Sequence, residues 1–302
     1  MPVRTKKSPD LSRQSTLDSR EVRYAKNKTG IKKFQQMILR HYEDAGRRMA
    51  WRDTTDPYLV LVSEIMLQQT QVERVTTKFP EFINRFPDFI SLANAPLAEV
   101  LRAWQGMGYN RRAIALQKCA QRVVSECDGI LPPDVETLAT FPGIGKATAS
   151  SIAAFAFNEP VVFIETNIRR VFIHFFFEDT DTVTDAEIFP LVEQALYQEN
   201  PRIWYWALMD LGTALKKTVP NPNRRSAHYT RQAPFEGSDR KIRGMILKLL
   251  VAGPGREQKE ITELVSGDPD RVGRILVSLE REGFIERTGT RLTIAGKPDN
   301  PT

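Results

Sequence analysis

Between Phe34 and Lys217 apolar residues recur at three- and four-residue intervals in one segment after another, and strict alternation is nearly absent, which predicts helices and hardly any strand. The spacing places helices at Phe34–Tyr42, Pro96–Met107, Arg111–Glu126 and Ala147–Phe157, then at Thr166–Phe177, Asp185–Gln198 and Arg202–Lys217, with Gly, Pro and Asn between them. Another helix begins at Asp56-Pro57, a capping side chain followed by proline at the first helical position. After a Pro/Asn/Arg-rich stretch, Val219 to Arg225, the rhythm changes. Residues 240–251, 259–265 and 269–282 read as three helices, and a hairpin follows with its turn at Thr288-Gly289. The fold class expected is all-α, with a C-terminal module in the element order of a winged helix, which serves protein contacts about as often as DNA. Residues 1–30 are rich in Ser, Lys and Arg and poor in large apolar groups, so a disordered basic tail is expected there, with order starting near Ile31.

Composition narrows the function classes. With 302 residues, 41% of them hydrophobic, the chain can fill two or three lobes. No apolar run approaches the ~18 residues needed to cross a bilayer and no signal-peptide core is visible, so a cytoplasmic, nucleoid-associated protein without a membrane partner is expected. Cys119 and Cys127 fall eight apart on one predicted helix, roughly 12 Å between Cα atoms, too far for a disulfide. Two cysteines and three scattered histidines exclude a four-thiolate cluster or an all-cysteine zinc site. The net charge of +6 is uneven: residues 1–30 hold eight Lys/Arg against three Asp/Glu, and residues 216–248 hold nine against two. Two basic patches on a mildly acidic body point to a polyanion.

Two motifs carry chemistry. Leu138 to Ala149 reads as helix, Pro142-Gly143-Ile144-Gly145 turn, helix. The glycines let backbone approach a phosphate, the N–H groups of the second helix point at it, and Lys146 and Thr148 add charge and a hydroxyl, so this helix-hairpin-helix grips a DNA backbone without reading sequence. The hairpin carbonyls could also hold a monovalent cation. The second motif is Asp56 to Gln71; between Pro57 and Gln71 Glu64 is the only side chain expected to carry charge near neutral pH, amid Val60, Leu61, Ile65 and Leu67. Desolvation raises the pKa of such a carboxyl, as a general acid requires. Gln68, Gln69 and Gln71 beside it supply uncharged wedge and hydrogen-bonding groups suited to a base pushed out of a duplex.

These stretches, with Trp51-Arg52, residues 92–101, Gly106-Met107-Gly108-Tyr109 and Glu165 to Val171, resemble the helix-hairpin-helix (HhH-GPD) DNA glycosylase superfamily, and within it the adenine glycosylase branch rather than endonuclease III. The resemblance spans residues 31–217. It implies two helical lobes, residues 31–56 with 161–235 and residues 57–160, ahead of the winged helix at 236–298. It further implies that Glu64 protonates a flipped purine and later helps activate water, that Gln69 wedges into the gap, and that Tyr109 presses on the opposite strand. Trp51 and Arg52 match base-pocket positions; Gly143, Gly145 and Lys146 match the phosphate grip; Asn167 matches a residue supporting the second carboxylate. Ala147 stands where lyases carry lysine, so a monofunctional enzyme that leaves the abasic site uncut is implied.

Five departures qualify this picture. The family's aspartate is matched by Glu165, one methylene longer. Its four cluster cysteines are matched by Lys216, Asn223, Ser226 and Gln232, so no iron–sulfur cluster is expected. Tyr229, Phe235 and the basic linker become candidates for holding that loop, with Lys216, Lys217, Arg224 and Arg225 as phosphate contacts. Trp206 matches a residue that reads the adenine edge; an indole can stack but cannot accept a hydrogen bond from an amino group. Ala147 replaces the usual Ser or Tyr, and a Nudix-like domain that senses 8-oxoguanine is missing from the pattern. The expectation is a monomeric glycosylase acting on double-stranded DNA with a lesion or mismatch, first on adenine opposite 8-oxoguanine. The alternatives are thymine or uracil opposite guanine, or another damaged base, and a non-catalytic DNA-binding protein.

Overall fold

The structure, a computed structural model, describes residues 24–177, 179–230 and 235–296. Most of the expected basic tail, Gln232 and the last two residues of the expected winged helix lie outside the described residues. Helix α1 (Lys28–Ala45) starts three residues before Ile31, because Asn27 accepts from the Gly30 N–H and caps it there. A short turn of tighter helix, Ala50–Arg52, leads to α2 (Pro57–Leu67), α3 (Val72–Arg85), α4 (Phe89–Asn94) and α5 (Leu97–Ala103). Next come α6 (Arg111–Glu126), α7 (Val135–Leu138), α8 (Lys146–Phe157), α9 (Thr166–Phe176), α10 (Asp185–Ala195) and α11 (Pro201–Thr218). The C-terminal part holds α12 (Asp239–Ala252), β1 (Arg256–Glu257), α13 (Gln258–Leu264), α14 (Pro269–Arg281), β2 (Ile285–Thr288) and β3 (Arg291–Ile294). Its antiparallel sheet runs β1-β3-β2, with Arg256 opposite Leu292 and Ile285 opposite Ile294. None of the described helices is long and apolar enough to cross a membrane.

Two apolar cores organise the molecule. One, with Phe34, Phe172, Trp204 and Leu208, joins α1 to α9, α10 and α11. The other, with Trp51, Phe82, Trp104 and Leu116, fills α2 to α7 and continues through Leu247, Ile275 and Phe284 into the C-terminal part. Residues 236–296 are therefore not a detached module: α12 packs on α5 and shares its core. Two helices serve both cores. On α2, Val60 joins the first core while Leu61, Val62 and Ile65 join the second; on α8, Ile152 and Ala154 divide the same way. A helix buried on both sides must be apolar nearly all round, and the α2 sequence is.

The helix expected from Pro96 to Met107 ends at Ala103, since the chain must turn at Gly106 and Gly108, both at positive φ. That loop is tied to the end of α2 by Arg112. Its guanidinium, buried in α6, donates to the carbonyls of Ile65, Met66 and Gln68 on one side, and to Thr70 Oγ1, Met107 O and Gly108 O on the other. Removing it strands several buried acceptors, each worth about 1–3 kcal/mol. Arg112→Leu should lower unfolding free energy by about 3 kcal/mol or more, read as a drop in the urea midpoint.

Candidate active site

Glu64 lies on the seam between the cores, where α2 meets α8. Asp56 caps α2 by accepting from the Tyr58 N–H, which fixes the helix phase and turns Glu64 toward α8. There Ser151 Oγ donates to Glu64 Oε2 at 2.6 Å. Burial pushes the Glu64 pKa up to about 7; the hydrogen bond from Ser151 works against it, the charge of Glu165 adds to it, and Arg52 opposes it. The acid is neutral for much of the time near pH 7.

Glu165 occupies the N-cap of α9. Its Oε1 accepts from the N–H groups of Asn167 (2.7 Å) and Ile168 (2.8 Å), and its Oε2 from the Asn167 amide at 3.2 Å. Burial raises its pKa too, opposed by those N–H groups and by Arg170 and Arg169. Held by donors at a helix N-terminus, Glu165 is the better home for negative charge and Glu64 the better home for the proton. The extra methylene of glutamate is absorbed by folding the carboxylate back onto the helix end. Asn167 is fixed in turn by Arg170, which donates to Asn167 Oδ1 (2.6 Å) and to the Gly212 carbonyl (2.7 Å). Gly212 is needed where α11 crosses α9, as a Cβ there would lie 2.5 Å from the Asn167 carbonyl oxygen.

Both carboxyls face one cavity of about 270 Å³, near the low end of small-molecule sites at about 300–1,000 Å³. Trp51, Arg52, Ala147 and Trp206 also line it. Trp206 stacks on Phe155 with ring centres 5.9 Å apart, and the Arg52 guanidinium lies 5.4 Å from the Trp206 ring. Arg52 is not free to read an edge, because both its terminal nitrogens donate to buried Asp210 at 2.9 Å, as do the Arg47 backbone and side chain. Burial works to raise the Asp210 pKa, but Arg52 and Arg47 hold it below the usual value.

Outside the cavity, Gln69 is exposed at φ 52° and Tyr109 sits at φ 47°, two strained backbone positions on neighbouring loops that Arg112 binds together. Gly143 has φ 78°, and a Cβ there would lie 2.7 Å from the Ala115 side chain. No side chain caps the N-terminus of α8, so its first N–H groups stay available beside exposed Lys146 and Gly145.

Two residues expected at DNA are engaged elsewhere, and a third sits where expected. Gln68 turns inward, donating to the Gly143 carbonyl and to Thr148 Oγ1 at 3.2 Å. Asn167 supports Glu165, as the resemblance implies, and lines the cavity. Arg225 donates to the carbonyls of Phe177, Thr180 and Ile173 and closes the end of α9. Lys216, Lys217 and Arg224 are exposed.

The loop of the expected cluster positions is held without Tyr229 or Phe235, which are 45% and 54% exposed. Backbone pairing of Val183 with Ser226, Arg225 and a hydrogen bond from Asn223 to the Thr166 carbonyl fasten it instead. Lys216, Asn223 and Ser226 offer no thiolate, and Cys119 on α6 and Cys127 just past its end lie in the other lobe, so an iron–sulfur cluster does not fit here. Among the described residues no group of three or more His, Cys, Asp or Glu is placed to hold a metal ion. Ser151, Asp210, Arg112 and Arg170 are functional supports that sequence reasoning missed; only the Ser150-Ser151 pair in an Ala-rich helix offered a signal.

Paired carboxyls in unlike environments, at the root of a hairpin with open backbone donors, define a helix-hairpin-helix glycosylase architecture. Comparison with known proteins agrees. Residues 62–192 match the family described as HhH-GPD superfamily base excision DNA repair protein. An adenine DNA glycosylase of Mycolicibacterium smegmatis is 35% identical, over 86% of this chain and 95% of that protein. One from Mycobacterium tuberculosis (strain CDC 1551 / Oshkosh) is 31% identical, over 83% and 90%. Among solved structures, a thermostable thymine-DNA glycosylase aligns with TM-score 0.55 and 25% identity over 60% of this chain and 85% of that one. A trapped endonuclease III–DNA covalent intermediate shares the fold at TM-score 0.54 and 19% identity, over 69% and 91%. The chain belongs to the HhH-GPD superfamily, nearest its adenine DNA glycosylases, and is a DNA N-glycosylase.

The raised Glu64 pKa is also a stability statement. Below about pH 4.5 the group is protonated folded or unfolded and has no effect; as pH rises toward 7 the folded state increasingly opposes an ionisation the unfolded chain allows. Glu64→Gln should therefore stabilise the protein by roughly 2–3 kcal/mol at pH 8 and by little at pH 4. Thermal melts of both proteins across that range check this.

Proposed function

We propose that the chain is a monofunctional adenine DNA glycosylase acting as a monomer, its first substrate adenine opposite 8-oxoguanine. The observation that carries this reading is the division of labour between the two carboxyls in one cavity. An extruded adenine would enter between Trp51 and Trp206, and the Glu64 carboxyl would give its proton to a ring nitrogen. The bond from the base to C1′ then breaks with its electron pair leaving on the base. The Glu165 carboxylate faces the oxocarbenium-like sugar, and water attacks C1′ as its proton passes to the Glu64 carboxylate. Ala147 and a cavity lining without lysine leave no amine to attack the sugar, which supports hydrolysis without strand cleavage. We infer that no iron–sulfur cluster takes part, that a monovalent cation can sit at the hairpin carbonyls, and that the C-terminal part is a winged helix used on DNA.

A second reading, excision of thymine or uracil opposite guanine, is favoured by Trp206, which offers adenine no acceptor, and by the likeness to a thymine-DNA glycosylase. Duplexes carrying single lesions or mismatches, incubated with protein and resolved with and without alkali, separate the two. Breaks are expected only after alkali, fastest with adenine opposite 8-oxoguanine, and slower by about 10²- to 10⁴-fold in Glu64→Gln. The rate should fall as pH rises through about 7, where Glu64 loses its proton. Preference for thymine opposite guanine would install the second reading, and breaks without alkali would overturn monofunctionality. DNA binding with no excision of any base would leave a non-catalytic binder.

A further inference from the structure

The C-terminal part turns α14, not its hairpin, toward the wedge loops. Arg271, Arg274 and Ser278 of α14 and Arg240 of α12 line a groove of about 650 Å³ whose far wall is Gln69 and Tyr109. Six arginines and one aspartate line it. Its width is fixed by a clamp: Glu282, just past α14, accepts from Arg111 at the start of α6 (2.6 and 2.8 Å), from Arg243 of α12 (2.7 and 3.0 Å) and from Ser278 Oγ (2.6 Å). Arg240 donates to the Tyr109 hydroxyl at 2.9 Å, which joins the two walls. Arg274 is exposed at the opening, and Lys248 and Arg74, both exposed, line an adjoining cleft beside Gln69 and Tyr109.

We propose that this groove holds the sugar-phosphate backbone of the strand that keeps its base, the one opposite the excised nucleotide. The inference rests on the glycosylase reading and extends it. The Gln68-Gln69 turn divides the surface: the Glu64 cavity and the uncapped end of α8 lie on one side, the arginine groove on the other. A strand delivering a base to Glu64 must run along the cavity side, so its complement falls on the groove side. An arginine-lined groove clamped at fixed width suits a regular array of phosphates better than an acidic peptide of irregular spacing.

The test is fluorescence anisotropy of the full chain with a duplex holding an uncleavable abasic analogue, over a range of KCl concentrations. Three duplexes are compared: one all-phosphate, one with neutral methylphosphonate linkages in the opposite strand, one with them in the lesion strand. Arg274→Glu, Arg274→Gln and Lys248→Glu change exposed side chains, and circular dichroism checks that each is folded. For all-phosphate DNA, Arg274→Gln should weaken binding several-fold and Arg274→Glu about tenfold, with the slope of log affinity against log salt about one unit shallower. The loss should vanish with a neutral opposite strand and persist with a neutral lesion strand. Unchanged affinity in the Arg274 and Lys248 variants, or a loss that follows the lesion strand, overturns the groove assignment. If the parent binds the duplex and excises a base while these variants match it, the glycosylase reading stands and the groove alone falls; if the parent binds no duplex, both fall.

Discussion

A carboxyl that must keep its proton near neutral pH can be built only where water is scarce, and the rest of this molecule is arranged around that requirement at Glu64. Scarcity of water comes from placing the group on a helix buried from two sides. That forces α2 to be apolar nearly throughout, and it forces two cores instead of one, since a single core would leave one face of α2 in solvent. The seam between the cores then opens into the cavity, so the carboxyl is shielded by protein and yet reachable by a small planar group.

Two acids in one small space would compete for one proton unless their surroundings differed. The difference is made by secondary structure. Glu165 meets the end of α9, where unpaired N–H groups favour the anion, whereas Glu64 sits in mid-helix and receives one hydroxyl hydrogen bond from Ser151. The supports reach far along the chain. Gly212 lets α11 approach α9 closely enough for Arg170 to fix Asn167, and Asp210 two residues earlier locks Arg52 against Trp206. A single helix, α11, thereby sets the second carboxylate and one wall of the cavity.

What could be read in the sequence was whatever local chemistry decides. The Asp56-Pro57 start, the lone acid of α2, the glycines of the hairpin and most helix spans depend on residues within a turn or two of one another. Helix α6 runs from Arg111 to Glu126, as its periodicity predicts. What could not be read depends on partners far apart. Arg112 looks like any basic residue on a helix until four acceptors from the end of α2 and the turn after it, more than forty residues away, join two from the loop just before α6. Arg225 belongs to a basic stretch and reads as a phosphate contact, yet carbonyls at the end of α9 claim it. The loop around it lacks cysteines, and the backbone pairing that holds it in their place has no sequence signature. The same holds for α14, whose arginines are unremarkable until the shared core with α5 brings them opposite Gln69 and Tyr109.

Excision by this site turns on the protonation of one side chain, so the most direct measurement is a carbon-detected NMR titration of the glutamate carboxyls in the full chain, assigned with Glu64→Gln. One resonance, absent in the variant, should titrate near pH 7. If the Glu64 carboxyl instead titrates at the ordinary peptide glutamate value of about 4.3, the cavity does not hold a proton-bearing acid, and the division of roles between Glu64 and Glu165 is contradicted.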